Sequence, residues 1–507
     1  MSYLAASSFV RREILPERTA PVSATGFSGF VRAHLFSSPT NILLTILSLL
    51  FLWVTIVPTF KFLVVDAVWS GKDRTACLVE NVGHQIGACW PFVEAKLNQF
   101  IYGFYPEAER WRVNLTFAVA AVLLLPLLIP RLPAKGLNAG LFFIAFPVVA
   151  FFLLYGGGLS GFGVSWTANL LSGLAHDISD IGHKLARTGE ATVLVGPLLQ
   201  GLGTLIIWLG VAISGASWPL IWLRDQIQTS SQPVWADFAA TAAIVSVLAF
   251  LLSGGFRAGW RSAMLSIAIF AGIGLVIAAM GLDRGGLPIV DTRLWGGLLV
   301  TLVVSVTGIV ASMPIGIALA LGRRSTIPLI RFSSIAFIEF WRGVPLITVL
   351  FFATYMLPLF LPGNFKMDGL VRALVGIAVF SGAYIAEVVR GGLQAIPRGQ
   401  IEAANAIGLS WWKTTALIVM PQALRHVIPG IVNSFIGLFK DTSLVSIVAL
   451  FDLLGSLHAS FADPVWSTPT TQFTGFAFAG MIYFAFCFGM SRYSLFVENR
   501  LNAHQRS

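Results

Sequence analysis

The stretch Leu298–Leu321 reads LLVTLVVSVTGIVASMPIGIALAL, an apolar run without a single charged residue. About 20 such residues in a helix cross the hydrocarbon core of a bilayer, so the run is read as a membrane-spanning helix. The rest of the chain repeats the pattern, with further runs at Ile42–Phe60, Val113–Ile129, Leu137–Tyr155, Thr192–Ile213, Phe238–Leu252, Ser262–Met280, Val344–Leu361, Val371–Val389, Val427–Leu450 and Phe476–Met490. Composition agrees: 56% of the 507 residues are hydrophobic and only 11% charged, against about 25% charged in soluble domains. The fold class expected is an all-α polytopic membrane protein.

Net charge is +10, and Lys and Arg sit in short loops beside the apolar runs rather than along one face, which points to membrane topology and away from nucleic acid. Basic residues precede the first run (Arg11, Arg12, Arg18, Arg32) and separate the second and third (Arg131, Lys135). They place both segments in the cytoplasm and the loop 65–112 outside. In the last block, clusters at Arg323, Arg324 and Arg331, then Arg390, Arg398, Lys413 and Arg425, then Arg492, Arg500 and Arg506, are cytoplasmic by the same rule. Both termini are therefore expected inside. Five blocks follow: a cytoplasmic segment 1–41, a three-helix block 42–155, an inserted membrane segment 156–286, a core 287–498 and a tail 499–507. Parity requires the insert to cross an even number of times, yet it shows three strong runs. Either the weaker stretch Leu159–Leu174 is a fourth crossing, which leaves His183, Lys184 and Arg187 inside, or one strong run lies flat; four crossings also put Arg257 and Arg261 inside.

The most specific motif lies between the third and fourth runs of the core: Glu402-Ala403-Ala404, then Gly408, then Ile418-Val419-Met420-Pro421. Its first residues suit a short helix, Gly408 permits a turn that other residues adopt only at a cost, and Pro421 is expected to end the excursion. The segment 400–421 can thus act as a compact docking surface. Ionisable residues at apolar runs are default functional candidates. Glu339 and Arg342 stand three apart, as do Glu387 and Arg390, so each pair can neutralise itself on one helix face or serve a pathway or gate. Lys440 and Asp441 fall inside a run, followed by Thr442 and Ser443, whose hydroxyls could contact a zwitterion. Cys77 and Cys89 share the polar loop 65–112; they are either bonded, if that loop is extracytoplasmic, or two free thiols. No phosphate-cradling G-x-x-x-x-G-K-[ST] occurs, and no H-E-x-x-H or C-x-x-C, so neither ATP binding, metal catalysis nor a nucleophilic site is encoded.

The 402–421 motif resembles the EAA loop of ABC-importer permeases, EAA-x3-G-x9-I-x-L-P, with Met420 in place of Leu. Arg342-Gly343-Val344-Pro345, Ala383-Tyr384-Ile385-Ala386-Glu387, Ile396-Pro397-Arg398-Gly399 and Lys440-Asp441-Thr442-Ser443 resemble the permeases for polar amino acids. The loop segments Asp73–Cys77, Gly87–Trp90 and Glu109–Arg112, with Cys487–Tyr493, are similar to the M-type permease of general L-amino-acid importers of the Aap and Bzt type. The resemblance covers roughly Ser37–Tyr155 and Leu287 onward, and not the insert. It implies a type I ABC-importer transmembrane domain of about five core helices, moving L-amino acids across the bacterial inner membrane by alternating access. It further implies a heterodimeric pore with a sister permease, a cytoplasmic ATPase dimer that uses ATP and Mg, and a periplasmic amino-acid-binding protein. A secondary amino-acid transporter is the alternative; it would carry its own coupling-ion site and internal repeats, and would leave the EAA-like loop without a role.

Overall fold

The computed structural model describes residues 29–82, 85–129, 132, 135–159, 161–190, 196–253, 259–360 and 367–502. The basic residues Arg11, Arg12, Arg18, Arg131, Arg257 and Arg506 lie outside the described residues, as do most of the segment 1–41 and the end of the tail. Ten described helices are long and apolar enough to cross a bilayer, and a bent pair makes an eleventh candidate. The described part of each apolar run of the sequence lies on one of them or on the bent pair.

The chain divides into two compact units, one of residues up to Ala95 with Phe461–Phe478, the other of Lys96–Ser460 with 479 onward. The first unit holds α1 (Pro39–Phe60) and the polar loop that follows it. There Cys77 and Cys89 are joined by a disulfide with Cα atoms 5.8 Å apart. The loop is pinned to a segment far along the chain: Arg74 N–H donates to the Val465 carbonyl (3.0 Å) and Cys89 N–H to the Thr474 hydroxyl (2.9 Å). This long-range tie is why residues 461–478 group with the loop rather than with the core block that precedes them in sequence.

Helix α2 (Trp90–Tyr102), of which the residues from Lys96 onward belong to the second unit, leads to α3 (Arg110–Leu128) and α4 (Lys135–Tyr155). Their shared end is built on buried polar groups. Arg112, fully buried, pairs with Glu109 (2.5 Å) and donates to the Pro288 carbonyl (2.8 Å). Tyr105 donates its hydroxyl to the Leu154 carbonyl (2.8 Å), and burial pushes that phenol up to about 12.

The insert forms four helices: α5 (Gly163–Glu190), α6 (Gly196–Gln228), α7 (Pro233–Leu252) and α8 (Gly259–Ala279). α5 and α6 make an antiparallel hairpin whose seam is small on both sides at every seventh position: Ala168, Ala175, Gly182 and Gly189 on α5, and Gly196, Gly203, Gly210 and Ser217 on α6, all buried. The backbones touch, because a Cβ at Gly182 would stand 2.8 Å from the Gly203 carbonyl oxygen, and one at Gly210 the same distance from that of Ala175. The start of α5 is held by the fully buried Asp237 of α7, whose carboxylate accepts from the N–H groups of Phe162 (2.5 Å), Val164 (3.1 Å) and Ser165 (3.1 Å). An acceptor there satisfies the orphan donors and the positive end of the helix dipole. The hairpin therefore returns the chain to the end from which α7 starts. α5 differs from the expected apolar stretch Leu159–Leu174: it is a 28-residue amphipathic helix and is not among the helices apolar enough to cross a bilayer.

The core has α9 (Gly297–Arg323), the bent pair α10 (Pro328–Gly343) and α11 (Leu346–Phe360), α12 (Gly369–Ala395), α13 (Arg398–Ala406), the rod α14 (Trp411–Val448), α15 (Leu453–Ser460) and α16 (Thr471–Asn502). The arms of the bent pair meet at 105°. Pro345 supplies no N–H and forces Val344 into an extended conformation (φ −101°, ψ 135°), which breaks the helix there. Helices α9, α12 and α14 approach closely where glycine faces a neighbour: a Cβ at Gly316 would sit 2.5 Å from the Ile385 side chain, and one at Gly392 the same distance from the Ala423 carbonyl oxygen.

Candidate functional site

Three places in the core gather the residues singled out by the sequence. The first is a cavity of about 310 Å³ lined, among others, by Ser312 of α9, Ser381 and Tyr384 of α12, and Asn433, Ser434 and Asp441 of α14. Asp441 closes the α-helical part of the rod, where a 3₁₀ turn, Thr442–Val448, takes over. Its half-buried carboxylate shares the cavity with the uncharged polar groups of Ser312, Ser381, Tyr384, Asn433 and Ser434 and with the apolar Phe380, Ile385, Phe435 and Leu438, and among the described residues no ion pair joins it to Lys440, an exposed neighbour on a different face of the helix. A carboxylate among amide and hydroxyl groups is equipped to take a cationic or ammonium-bearing group. The hydroxyls of Thr442 and Ser443 do not join it. Thr442 is fully buried and donates to the Phe439 carbonyl (2.8 Å), and Ser443 donates to that of Lys440 (2.9 Å). Where the helix tightens, these side chains satisfy local carbonyls rather than a ligand.

The second place is an ionic node. Glu387 and Arg390 pair on their own helix as the three-residue spacing suggests, with Arg390 Nε donating at 2.9 Å and Nη2 to the other carboxylate oxygen. Glu339 and Arg342 do not pair with each other. Glu339 takes Arg323 Nη1 from α9 (3.2 Å), while Arg342 Nη1 lies 3.8 Å from Glu387. Arg323 also reaches Glu387 (3.5 Å). Their helices bring three guanidinium groups to one carboxylate, and the tertiary contacts override the intrahelical pairing. Arg342 further stands over the Tyr384 ring at 5.8 Å, so one side chain is shared by the node and the cavity wall.

The third place is the excursion between α12 and α14. Glu402, Ala403 and Ala404 lie in the nine-residue α13, and Gly408 follows in the left-handed region at φ +76°. Leu409 N–H returns to the Ala404 carbonyl (3.1 Å) and Gly408 N–H to that of Asn405 (3.0 Å), a C-terminal cap that needs a residue tolerant of positive φ. Glu402 is exposed, and Ile407, Trp411 and Trp412 surround the turn at 74%, 56% and 74% exposure. Ile418 and Pro421 belong elsewhere. The excursion ends at Ser410, and both residues are inside the rod, where a π turn, Thr415–Val419, precedes the helical segment that Pro421 helps to start. Pro421 therefore does not close the loop; the widened turn before it relieves the missing N–H bond.

A buried polar cluster at the start of α9 gave no signal in the sequence. Asp452, fully buried, accepts from the Leu454 and Gly455 N–H groups (3.2 and 2.9 Å) and from the Tyr483 hydroxyl (3.0 Å). Thr301 accepts from Leu453 N–H (3.0 Å) and Ser456 from Gly297 N–H (2.8 Å). Its members are spread over almost two hundred residues, so no local pattern announces it.

Comparison with known proteins places these features. The family of binding-protein-dependent transport system inner membrane components matches residues 312–503, which hold the cavity, the node and the excursion. The inner membrane amino-acid ABC transporter permease protein YhdY of Escherichia coli is 35% identical, the alignment covering 96% of each chain. The glutamate/glutamine/aspartate/asparagine transport system permease protein BztC of Rhodobacter capsulatus is 38% identical over 99% of each. Among solved structures, an amino acid ABC transporter determined with histidines is 27% identical at a TM-score of 0.36, over 40% of this chain and 92% of that one. A multi-pass chain that matches two such permeases almost end to end belongs to their family, the inner-membrane permease components of binding-protein-dependent ABC transport systems.

Proposed function

We propose that this permease moves L-amino acids inward by alternating access, driven by ATP that a docked partner hydrolyses. The observation that carries the reading is the excursion at Glu402–Gly408: a short helix and a glycine-capped turn, set between two long helices, that exposes Ile407, Trp411 and Trp412 beside Glu402. Apolar side chains left in the open beside a charged one suit a docking surface. The chain encodes no phosphate-binding loop, so ATP and Mg belong to an ATPase dimer seated there. A sister permease completes the pore, and a binding protein delivers substrate from outside. The substrate class is supported by the relatives' names and by the cavity, in which Asp441 can receive an α-ammonium group while Asn433, Ser434, Ser381 and Tyr384 offer hydrogen bonds.

Both termini lie in the cytoplasm in this reading. The disulfide of Cys77 and Cys89 then falls on the oxidising side, in agreement with the basic flanks. The experiment is Glu402→Lys, assayed for ATP-dependent amino-acid uptake and for ATPase co-purification. Uptake and ATPase binding are both lost while the protein stays in the membrane; a variant that transports and holds its ATPase like the wild type removes the docking assignment.

A further inference from the structure

The hairpin α5–α6 joins two incompatible surfaces. Helix α6 is apolar on its outer side, where Leu198, Leu202, Leu205 and Leu209 are 63%, 46%, 69% and 52% exposed, and it is long and apolar enough to cross a bilayer. Helix α5 carries His176, Asp177, Asp180, His183, Lys184 and Arg187 along its second half. At about 100° per residue these lie between about 100° and 220° round the helix from the Gly182 seam, so they point away from α6. The seam fixes this setting. Because the backbones touch at Gly182, Gly189, Gly203 and Gly210, α5 cannot roll to hide its polar face without prising the pair apart.

Among the described residues, that face is uncovered. His176 and Asp180 approach one another across a helical turn (3.9 Å) with side chains 70% and 54% exposed. The side chains of Asp177, His183, Lys184 and Arg187 meet no described partner. The hydrogen bonds between α5 and α7 are confined to the first turn of α5, at Asp237 and Thr241. If α6 sits in hydrocarbon, its tightly sewn partner sits at the same depth, where one ionised carboxylate costs about 2.5 to 3.5 kcal/mol even on the lenient insertion scale.

We infer that the polar face of α5 is the docking surface for a second membrane-embedded chain, one that lays a transmembrane helix bearing cationic or amide donors against Asp177 and Asp180. Acyl tails do not fit this face, since they offer no donors to Asp177 and Asp180 and no acceptors to Lys184 and Arg187. A protein helix can match the sequence of charges, with donors opposite Asp177 and Asp180 and acceptors opposite Lys184 and Arg187 nearer the hairpin tip. The inference rests on the reading of this chain as one subunit of a multi-chain importer, and assigns the insert the task of gripping another membrane subunit.

The test uses the intact transporter purified from its own membranes, with a photo-reactive benzoylphenylalanine at position 180 and, as a control, at position 205 on the lipid side of α6. Irradiation is expected to join position 180 to a companion membrane subunit, at a peptide inside an apolar run that holds a basic or amide residue, and position 205 to lipid. Asp180→Lys is expected to lower the companion recovered with the chain by about three- to tenfold, the range of an interhelical polar contact. Adducts of position 180 with lipid, with the ATPase or with the binding protein, or no adduct, overturn the inference. If the ATPase is bound in those same preparations, the proposed function stands and the docking of α5 alone has failed.

Discussion

Glu387→Gln is the perturbation that reports most directly on the ionic node. Glu387 accepts both arms of Arg390 and lies within 3.5 and 3.8 Å of Arg323 and Arg342, with its side chain 26% exposed. The amide keeps shape and some hydrogen bonding but removes the charge, leaving three guanidinium groups with Glu339 alone. Exposed ion pairs contribute about 0.2 to 1 kcal/mol and buried ones several. For a partly buried carboxylate with two cross-helix contacts, on the order of 2 kcal/mol is the reasonable loss, enough to shift an equilibrium between clasped and separated helices about thirtyfold. At about 2–4 °C per kcal/mol for a domain of some 200 residues, the thermal midpoint falls by roughly 4–8 °C. The assay combines melting of the purified protein with uptake in reconstituted vesicles, and adds double-mutant cycles with Arg323→Gln and Arg342→Gln. Coupling energies above about 0.5 kcal/mol are expected for both pairs. Strict additivity in both cycles, or a Glu387→Gln variant that melts and transports as the wild type does, refutes the clasp.

Asp441→Asn keeps size and hydrogen bonding, so uptake is expected to fall at least tenfold while ATPase binding survives; wild-type rates across the amino acids transported would show that the carboxylate is not on the path. Gly203→Leu forces a side chain against the Ala186 nitrogen and Gly182 oxygen, whereas Gly201→Leu enters open space; only the first is expected to lower the melting point, by the equivalent of about 1–3 kcal/mol or more. Cys77→Ser removes a disulfide with a sequence separation of 12, worth on the order of 3 kcal/mol in the chain-entropy model; equal midpoints before and after reduction would contradict that. Tyr105→Phe is expected to cost about 1 kcal/mol at neutral pH through the unpaired Leu154 carbonyl. Because burial raises this phenol from 10.0 to about 12, its favourable contribution is full below pH 10 and is lost as pH rises towards 12, so the stability gap between wild type and variant narrows over that interval.

What the sequence determined by itself is what local chemistry specifies. Apolar run length set the helices, since a backbone in hydrocarbon has few other ways to satisfy its polar groups. Gly408 marked a turn, because glycine's freedom at positive φ acts on its immediate neighbours. The EAA-like motif was legible for the same reason: helix, cap and turn fit within a dozen residues. Tertiary structure decided the pairings. Spacing alone put Glu339 with Arg342, but Arg323 from α9 takes Glu339 and Glu387 from α12 takes Arg342, and nothing within one helix encodes those arrivals. It also decided that Thr442 and Ser443 turn to their own backbone, that Pro421 sits inside a rod, and that Asp452 joins Tyr483 from a distant helix. The small residues at every seventh position of α5 and α6 were present in the sequence, yet they become a seam only once two helices lie antiparallel in the register that sets glycine against glycine. Backbone contact at that distance leaves no room for any other side chain, and it is this tertiary constraint that turns the charged face of α5 outward.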